Sequence, residues 1–310
     1  ENDTFKAIVE QKDCDSEQAK VREINSGIYW FKAEKLSGLL DKLGNNNAAG
    51  EYYLTDTVAV AEKKGVYTAD STDVVLGANS RSQLAALNEV ARKRKLAELM
   101  DEGVDIPLSD GIIIGKDVKI GHDTVILPNT IIKGKTVIGN GCEIGPNSYI
   151  ADCVIEDNVI LNNVQAHESK VDSKAKAGPF VHLRPNTHLH SGVKIGDFVE
   201  VKNSEVGLNT CIAHLTYIGD SDVGKGVNFG CGCVTANYDG IKKYRTTIGD
   251  NAFIGCNTNM IAPVTIGDNA TTAAGSTITK NVPADSLAVE RGQTRIIEHW
   301  EKNSKRIKKA

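Results

Sequence analysis

The chain contains 310 residues with a mass of 33.3 kDa, a length that can hold two domains. Its formal net charge of −4 and pI near 6.0 exclude a nucleic-acid-binding protein that depends on overall positive charge. No apolar run is long enough to cross a bilayer, and the N-terminus lacks the charged-then-apolar layout of a signal peptide. We therefore expect a cytoplasmic protein with no nucleic-acid and no membrane partner.

The first third of the chain has the mixed pattern of an α/β segment. Residues 5–9 and 24–31 predict strands, and residues 33–43 predict a helix. Residues 82–102 predict a long helix with its apolar side chains near one face. The chain opens on Glu1 and enters an apolar stretch almost at once, so we expect a fragment that begins inside a domain.

A six-residue repeat dominates the rest of the chain. A helix repeats its apolar positions every 3.6 residues and a strand every two, whereas six residues fit one short strand and one turn. Stacked three-sided coils would bring one aliphatic side chain per side into a continuous core. The repeat runs through Ile114, Ile120, Ile126, Ile132, Ile138, Ile144 and Ile150; then Ile155 and Leu161; then Ala177, Leu183, Leu189, Ile195 and Val201; then Val206, Ile212 and Ile218; and finally Ile248, Ile254, Met260, Ile266, Thr272 and Ile278.

These patterns divide the chain into four predicted parts. Residues 1–80 form the α/β segment, 81–105 a linker helix, 106–290 the repeat domain and 291–310 a basic tail, of which 294–309 is a helix or a frayed end. The seven cysteines are odd in number and lack C-x-x-C spacing, so we expect small buried thiols rather than disulfides or structural zinc.

The repeat resembles the hexapeptide-repeat family, which implies a mainly β fold, a left-handed parallel β-helix. More specific are the strings GDFVEVKN at 196–203, AHLTYIGD at 213–220 and the inserted segment TANYDGIKKYR at 235–245. Together they resemble the glucosamine-1-phosphate acetyltransferase domain of the bifunctional uridyltransferase/acetyltransferase family. The strings IVEQKD, REINSGIYWF and NNNAAGEYYLTD resemble the end of that family's uridyltransferase domain.

The resemblance implies transfer of an acetyl group from acetyl-CoA to the amine of glucosamine-1-phosphate. An ammonium cannot attack a thioester, so the reaction needs a base, and imidazole titrates near neutral pH. The family's catalytic base matches His214, with Glu200 orienting it. Positions matching the sugar-phosphate ligands are Arg184, Lys202, Tyr217, Asn228, Asn237 and Lys243.

The acetyl-CoA positions of the family fall on the later coils. They match Cys231, Asn237, Tyr238, Cys256, Ala274 and Arg291. Residue 231 is more often alanine in the family and residue 256 more often serine, so this chain departs from the pattern at both. A thiol is a weaker hydrogen-bond donor than a hydroxyl. The resemblance further implies a homotrimer, because the family's site forms where three β-helices meet.

For uridylyl transfer, Glu10, Asn25 and Thr55 match substrate-facing positions and Asn79 matches a Mg²⁺ ligand. The family's glycine-rich nucleotide loop and metal-binding aspartate have no counterpart in the 310 residues. Without them phosphoryl-type transfer loses its main stabilisation. We expect negligible uridyltransferase activity and an incomplete Mg²⁺ site.

Four other interpretations stay open at this point. The same scaffold can acylate a different amine or hydroxyl acceptor, or serve only to oligomerise. Cys231 or Cys256 could form an acyl-enzyme, although neither has an adjacent base in sequence. A hexapeptide-repeat carbonic anhydrase needs three metal-binding histidines; His182, His188 and His190 are clustered, but only the last two share a face.

Overall fold

The computed structural model describes residues 5–47 and 49–299. The chain divides into two compact units, Glu1–Ala91 and Arg92–Ala310. No helix among the described residues is both long and apolar enough to cross a membrane.

The first unit contains helices and irregular chain. Helices α1 (Ala33–Leu40) and α2 (Asp56–Val60) lie within it, α3 (Arg81–Asp101) begins in it, and 3₁₀ turns occupy Gln11–Asp13, Gln18–Lys20 and Thr72–Val75. The helices predicted over 33–43 and 82–102 are confirmed. The strands predicted over 5–9 and 24–31 are wrong, because a strand needs a partner for its backbone groups and the described part of this unit contains none.

The second unit is a three-sided parallel β-helix. The first wall consists of β1 (Ile113–Ile114), β4 (Ile131–Lys133), β7 (Tyr149–Ala151), β10 (Val164–His167), β13 (Val181–Leu183), β16 (Glu200–Lys202), β19 (Tyr217–Gly219), β22 (Val234–Ala236), β25 (Asn259–Ile261) and β28 (Thr277–Ile278). The second wall consists of β2 (Lys119–Ile120), β5 (Val137–Ile138), β8 (Val154–Ile155), β11 (Lys170–Val171), β14 (Thr187–Leu189), β17 (Ser204–Val206), β20 (Ser221–Val223), β23 (Thr246–Ile248) and β26 (Val264–Ile266). The third wall consists of β3 (Val125–Ile126), β6 (Glu143–Ile144), β9 (Ile160–Leu161), β12 (Lys176–Ala177), β15 (Lys194–Asp197), β18 (Cys211–His214), β21 (Asn228–Phe229), β24 (Phe253–Ile254), β27 (Thr271–Thr272) and β29 (Leu287–Ala288).

The core is the stack of inward side chains that the repeat predicts. Every aliphatic position of the predicted runs is buried, from Ile114 to Ile278, and Thr272 is buried with them. The prediction of a mainly β, left-handed parallel β-helix is therefore confirmed. The end of α3 belongs to the same core, since Leu96 and Leu99 are buried in the cluster that includes the first coil.

The slips in the repeat have a common structural cause at the corner between the first and second walls. Steps of five residues, such as Ile150 to Ile155 and Val201 to Val206, cross this corner. Single residues in the left-handed backbone region make these tight corners, among them Asp152, Asn203 and Asp220 with φ of 55°, 46° and 49°. The inserted segment leaves the β-helix at the same corner, between β22 and β23.

The remaining predictions on thiols and tail are corrected in part. All seven cysteines are free, but only Cys142, Cys153 and Cys233 are buried, and Cys256 is exposed. Burial raises the pKa of the Cys153 and Cys233 thiols to about 11. The tail is predicted over 294–309 as a helix or a frayed end; residues 294–299 contain no helix, and the rest lies outside the described residues.

Candidate active site

The predicted acceptor residues Arg184, Lys202 and Tyr217 share the outward face of the first wall with Glu200. Of the other predicted acceptor residues, Asn237 and Lys243 lie on the inserted loop and Asn228 lies on the third wall. Val201 and Ile218 point into the core, so their neighbours Glu200, Lys202 and Tyr217 point outward. Glu200 pairs with Tyr217 on the next coil. Arg184 follows β13, and its backbone N–H donates to the Val201 carbonyl at 2.8 Å, which aligns it with Lys202.

Glu200 contacts Arg184 rather than His214. Arg184 Nη1 donates to Glu200 Oε1 at 2.7 Å, and both side chains are about two-fifths exposed. The hydrogen bond that Arg184 donates to this carboxylate raises the pKa of Arg184. Among the described contacts none joins Glu200 to His214, so the orienting role of Glu200 stays a prediction.

Asp220 links the first wall to the inserted loop. Its carboxylate is 5% exposed and accepts hydrogen bonds from Asn203 Nδ2 and Asn237 Nδ2, while Lys202 Nζ lies 3.5 Å from Oδ2. Burial alone would raise the pKa of Asp220, but the amide hydrogen bonds and the lysine charge outweigh it and hold the pKa below its usual range. The carboxylate therefore fixes the positions of Lys202 and Asn237 together.

Tyr217 lies over a glycine that the site requires. A Cβ at Gly219 would stand 2.3 Å from Tyr217 Oη and 2.6 Å from Cζ, so the ring occupies the space of a side chain. Asn237 Nδ2 is 3.4 Å from Tyr217 Oη. The phenol, the amide and the Asp220 carboxylate thus form one connected polar group at the edge of the first wall.

The inserted loop is a short hairpin that backbone and side-chain hydrogen bonds hold in place. Tyr238 bridges Lys243 in antiparallel fashion, and Asp239 Oδ1 accepts from the backbone N–H groups of Ile241 and Lys242. These backbone hydrogen bonds lower the pKa of Asp239. At its far end Arg245 binds Asp222 through two nitrogens and donates to the Asn203 and Ser221 carbonyls. Lys243 is exposed at the rim of the site.

His214 and three predicted acetyl-CoA positions, Cys231, Cys256 and Ala274, form one column at the corner between the third and first walls. The predicted acetyl-CoA positions Asn237 and Tyr238 lie instead on the inserted loop. Asp197 pairs with His214. The register of the third-wall strands, continued past their ends, aligns His214 with Cys231, then Cys256, then Ala274 on successive coils. Arg291 Nη1 reaches the Ala274 carbonyl at 3.2 Å. The predicted sugar ligand Asn228 lies outside this column, since it pairs with Cys211, three residues before His214.

The uridyltransferase positions are only partly brought together. Thr55 Oγ1 lies 3.5 Å from Glu10 Oε1, and both line a shallow pocket with Tyr53 and Asp56. Asn25 instead donates to Tyr29 Oη at 2.6 Å, and the backbone of Asn79 donates to Gln83 Oε1 at 2.7 Å. The Mg²⁺ role of Asn79 stays a prediction.

Three residues of this site have no role in the sequence interpretation. Asn203, Asp220 and Arg245 lie within the diagnostic strings, but their type alone gives no reason to prefer them over neighbouring polar residues. Their position in the repeat could have identified two of them. Asn203 and Asp220 lie in the five-residue steps between the first and second walls, and the inserted segment leaves the β-helix at the same corner.

Comparison with known proteins agrees with this architecture. Residues 245–280 match the family model "Bacterial transferase hexapeptide (six repeats)". A curated relative from Desulfitobacterium hafniense, named bifunctional protein GlmU, is 44% identical over 310 residues, covering 99% of this chain and 68% of the relative. The chain belongs to the GlmU family.

Other GlmU proteins match over a similar range. Those of Clostridium acetobutylicum and Acetivibrio thermocellus are 48% and 49% identical, each over 96% of this chain. The chain spans 66% and 65% of their lengths, about two-thirds of the GlmU relatives it matches. Among solved structures, a UDP-N-acetylglucosamine acyltransferase of Francisella novicida is 17% identical with a TM-score of 0.41, covering 58% of this chain and 65% of its own.

Proposed function

We propose that this chain transfers the acetyl group of acetyl-CoA to the amine of glucosamine-1-phosphate. The observation that carries the proposal is the arrangement around His214. A wall with Arg184, Lys202 and Tyr217 adjoins the corner that bears His214, Cys231, Cys256 and Ala274. An anionic acceptor and a long thiol cofactor would meet at the imidazole.

The chemistry assigned to His214 is general base catalysis. The side chain is exposed at the end of β18 and has no carboxylate partner among the described contacts, so its ring nitrogens can reach a ligand. The imidazole takes a proton from the acceptor amine as nitrogen bonds to the thioester carbonyl carbon. The carbon–sulfur bond then breaks, and the CoA thiolate leaves and is protonated.

The phosphate of the acceptor is assigned to Arg184, Lys202 and Lys243. Guanidinium and ammonium groups bind a phosphate dianion through charge-assisted hydrogen bonds. Glu200 and Asp220 hold two of these cations at fixed positions by 2.7 Å and 3.5 Å contacts. Tyr217 and Asn237 supply neutral donors beside them, suited to sugar hydroxyls. Asn228, which pairs with Cys211 on the third wall, is also assigned to the sugar.

Acetyl-CoA is assigned to the small-residue column. The coils approach closely there, since a Cβ at Gly255 would stand 2.6 Å from the Ala274 backbone nitrogen. Such a flat strip leaves backbone amides accessible to a pantetheine chain. Asn237 and Tyr238 border it from the inserted loop, and Arg291 is the cation assigned to the CoA phosphates.

The direct test measures thiol release from acetyl-CoA with glucosamine-1-phosphate and, separately, with glucosamine. We expect turnover with the phosphate and a kcat/KM about tenfold or more lower without it, because charge-assisted hydrogen bonds contribute about 1.5–3 kcal/mol each. Replacing Arg184 by methionine should remove most of that preference. Equal turnover of both acceptors would favour another amine or hydroxyl acceptor and contradict the assignment.

We expect alkylation of Cys256 to block acetyl transfer. Cys256 is the one thiol classed as exposed among the described cysteines, and it lies in the His214 column. Iodoacetamide treatment should inhibit the wild type, acetyl-CoA should protect it, and Cys256→Ser should resist. Inhibition of the serine variant at the wild-type rate would place the sensitive thiol elsewhere.

The assembly proposed is a homotrimer. Phe180, Phe198 and Leu215 are each more than half exposed along the corner beside His214, and the two phenylalanine rings stack with centroids 5.2 Å apart. An exposed apolar ridge of this kind indicates an interface. We expect Phe198→Asp to lower the trimer fraction in sedimentation velocity, with Val137→Asp on the second wall as control. A fully trimeric Phe198→Asp protein would contradict this interface.

A further inference from the structure

The second wall carries a cluster of two histidines and two carboxylates, outside the site described above. This second-wall cluster consists of Asp172, His188, His190 and Glu205. His188 Nε2 lies 2.9 Å from Asp172 Oδ1, and His190 Nδ1 lies 3.1 Å from Asp172 Oδ2. On the other side, His188 Nδ1 and His190 Nε2 each lie 3.0 Å from Glu205 Oε2.

Strand register explains why these side chains meet. His188 pairs with Lys170 on one side and with Glu205 on the other, while Leu189 points into the core. Continuing the register places Asp172 beside His190. Since adjacent strands lie about 4.8 Å apart, outward residues on three successive coils form a compact grid. The two imidazole centroids are 4.0 Å apart.

The surrounding charges leave the cluster short of positive charge. Besides Asp172 and Glu205, the carboxylates of Glu156 and Asp222 face this region, and the cations that contact these carboxylates among the described residues are Lys170 and Arg245. Counting these six side chains, two negative charges stay unbalanced. Asp172 is 9% exposed, so solvent relieves this imbalance poorly there.

We propose that the second-wall cluster binds a divalent d-block cation of the Zn²⁺ class within a single chain. Asp172, His188 and His190 each offer one ligand atom, and these three atoms all lie within 4.8 Å of one another. Glu205 contacts the opposite nitrogen of each ring, so it is not counted as a ligand. A tetrahedral ion with bonds of about 2.0–2.1 Å needs ligand atoms about 3.3 Å apart, close to the 2.9 Å and 3.1 Å contacts of Asp172 with the two imidazoles. Two nitrogens and one carboxylate oxygen, with water as the fourth ligand, suit zinc rather than Mg²⁺, which prefers oxygen.

The side chain of Lys170 has to move before an ion can bind Asp172. Lys170 Nζ lies 2.9 Å from Asp172 Oδ1 and 3.8 Å from Glu156 Oε1. On metal binding its ammonium shifts to Glu156, which frees Asp172 as a ligand.

The role of the ion is structural. It joins the coil of β11, through Asp172, to the coil of β14, and His188 lies four residues after Arg184 in the chain. The ion therefore braces the coil that carries part of the candidate active site. It takes no part in acyl transfer, since its ligands lie on a different wall from Arg184, Lys202 and Tyr217.

The experiment uses the full chain, dialysed against a chelator and then titrated with Zn²⁺ by calorimetry. We expect one ion per chain with a Kd in the micromolar range or below, a rise in Tm, and little competition from a tenfold excess of Mg²⁺. Substituting Co²⁺ should give the intense visible absorption of a tetrahedral site. A Cys256→Ser background removes the exposed thiol as a competing ligand.

Matched variants separate the cluster from adventitious binding. His188→Gln and His190→Gln should each weaken Zn²⁺ binding at least tenfold. His122→Gln should not, because His122 is exposed and has a single carboxylate partner, Asp123, at 2.7 Å. Two results would overturn the proposal: absence of Zn²⁺ binding to the wild type, or equal loss of binding in all three variants.

Discussion

Replacement of His214 by alanine is expected to lower kcat for acetyl transfer by about 10²–10⁴-fold, the usual contribution of a general base. The side chain is exposed and packs into no core, so the β-helix should be unaffected. Thiol release from acetyl-CoA under saturating glucosamine-1-phosphate measures the effect. Binding of acetyl-CoA, followed by calorimetry, should stay within a few-fold of the wild type.

His122→Ala is the matched control, because this histidine is exposed at a distant corner of an early coil. It should retain full turnover. A His214→Ala protein that keeps turnover within threefold of wild type would remove the imidazole from the mechanism and leave the acceptor assignment to be judged by the phosphate preference alone.

Replacement of Asp220 by asparagine is expected to damage stability and acceptor binding together. The change removes the negative charge that lies 3.5 Å from Lys202 Nζ. It also replaces one of the two carboxylate oxygens that accept amide hydrogen bonds by an NH₂ group, which can only donate. Hydrogen bonds to charged groups contribute about 1.5–3 kcal/mol, so we expect a loss of about 2–3 kcal/mol at pH 7. The KM for glucosamine-1-phosphate should rise about tenfold or more while that for acetyl-CoA changes little.

The pH dependence gives an independent check on Asp220. Its folded pKa is depressed, so its stabilisation is present above the unfolded pKa of about 3.9 and is lost as pH falls through the folded value. The difference in Tm between wild type and Asp220→Asn should therefore shrink below about pH 4. Asp250→Asn, at a half-exposed corner with Lys225, should lower Tm far less at any pH. A pH-independent difference would mean that packing rather than charge accounts for the effect.

The sequence predicts the β-helix well because its determinant is local and repeated. The repeat marks the inward-pointing residue in every coil independently, so a wrong assignment in one coil does not affect the assignment in the next. The predicted strands over residues 5–9 and 24–31 fail for the opposite reason. Apolar composition allows a strand, but pairing requires a second segment, and the described part of that unit offers none.

The diagnostic sequence strings indicate which residues form the candidate site, but they do not predict the contacts between these residues. Which carboxylate faces which cation depends on the register between coils. That register pairs Arg184 with Glu200 and leaves His214 one corner away. Likewise, Asp220 binds Asn237 across a step of 17 residues that spacing within one coil does not reveal. The sequence indicated the reactive groups, and the stacking determines their partners.

The corner between the first and second walls has a consequence for how acceptor choice can change. Although β22 and β23 are separated by the inserted loop, Ser221 still pairs with Thr246 and Val234 with Asn259. The strands on both sides of the loop thus keep their hydrogen bonds to the neighbouring coils, and this pairing does not depend on the length of the loop. Residues 238–244 lie between the anchoring side chains of Asn237 and Arg245, so they can be exchanged for a segment of other length and chemistry while these anchors are kept. This corner is therefore the natural graft point for redirecting the enzyme to new amines.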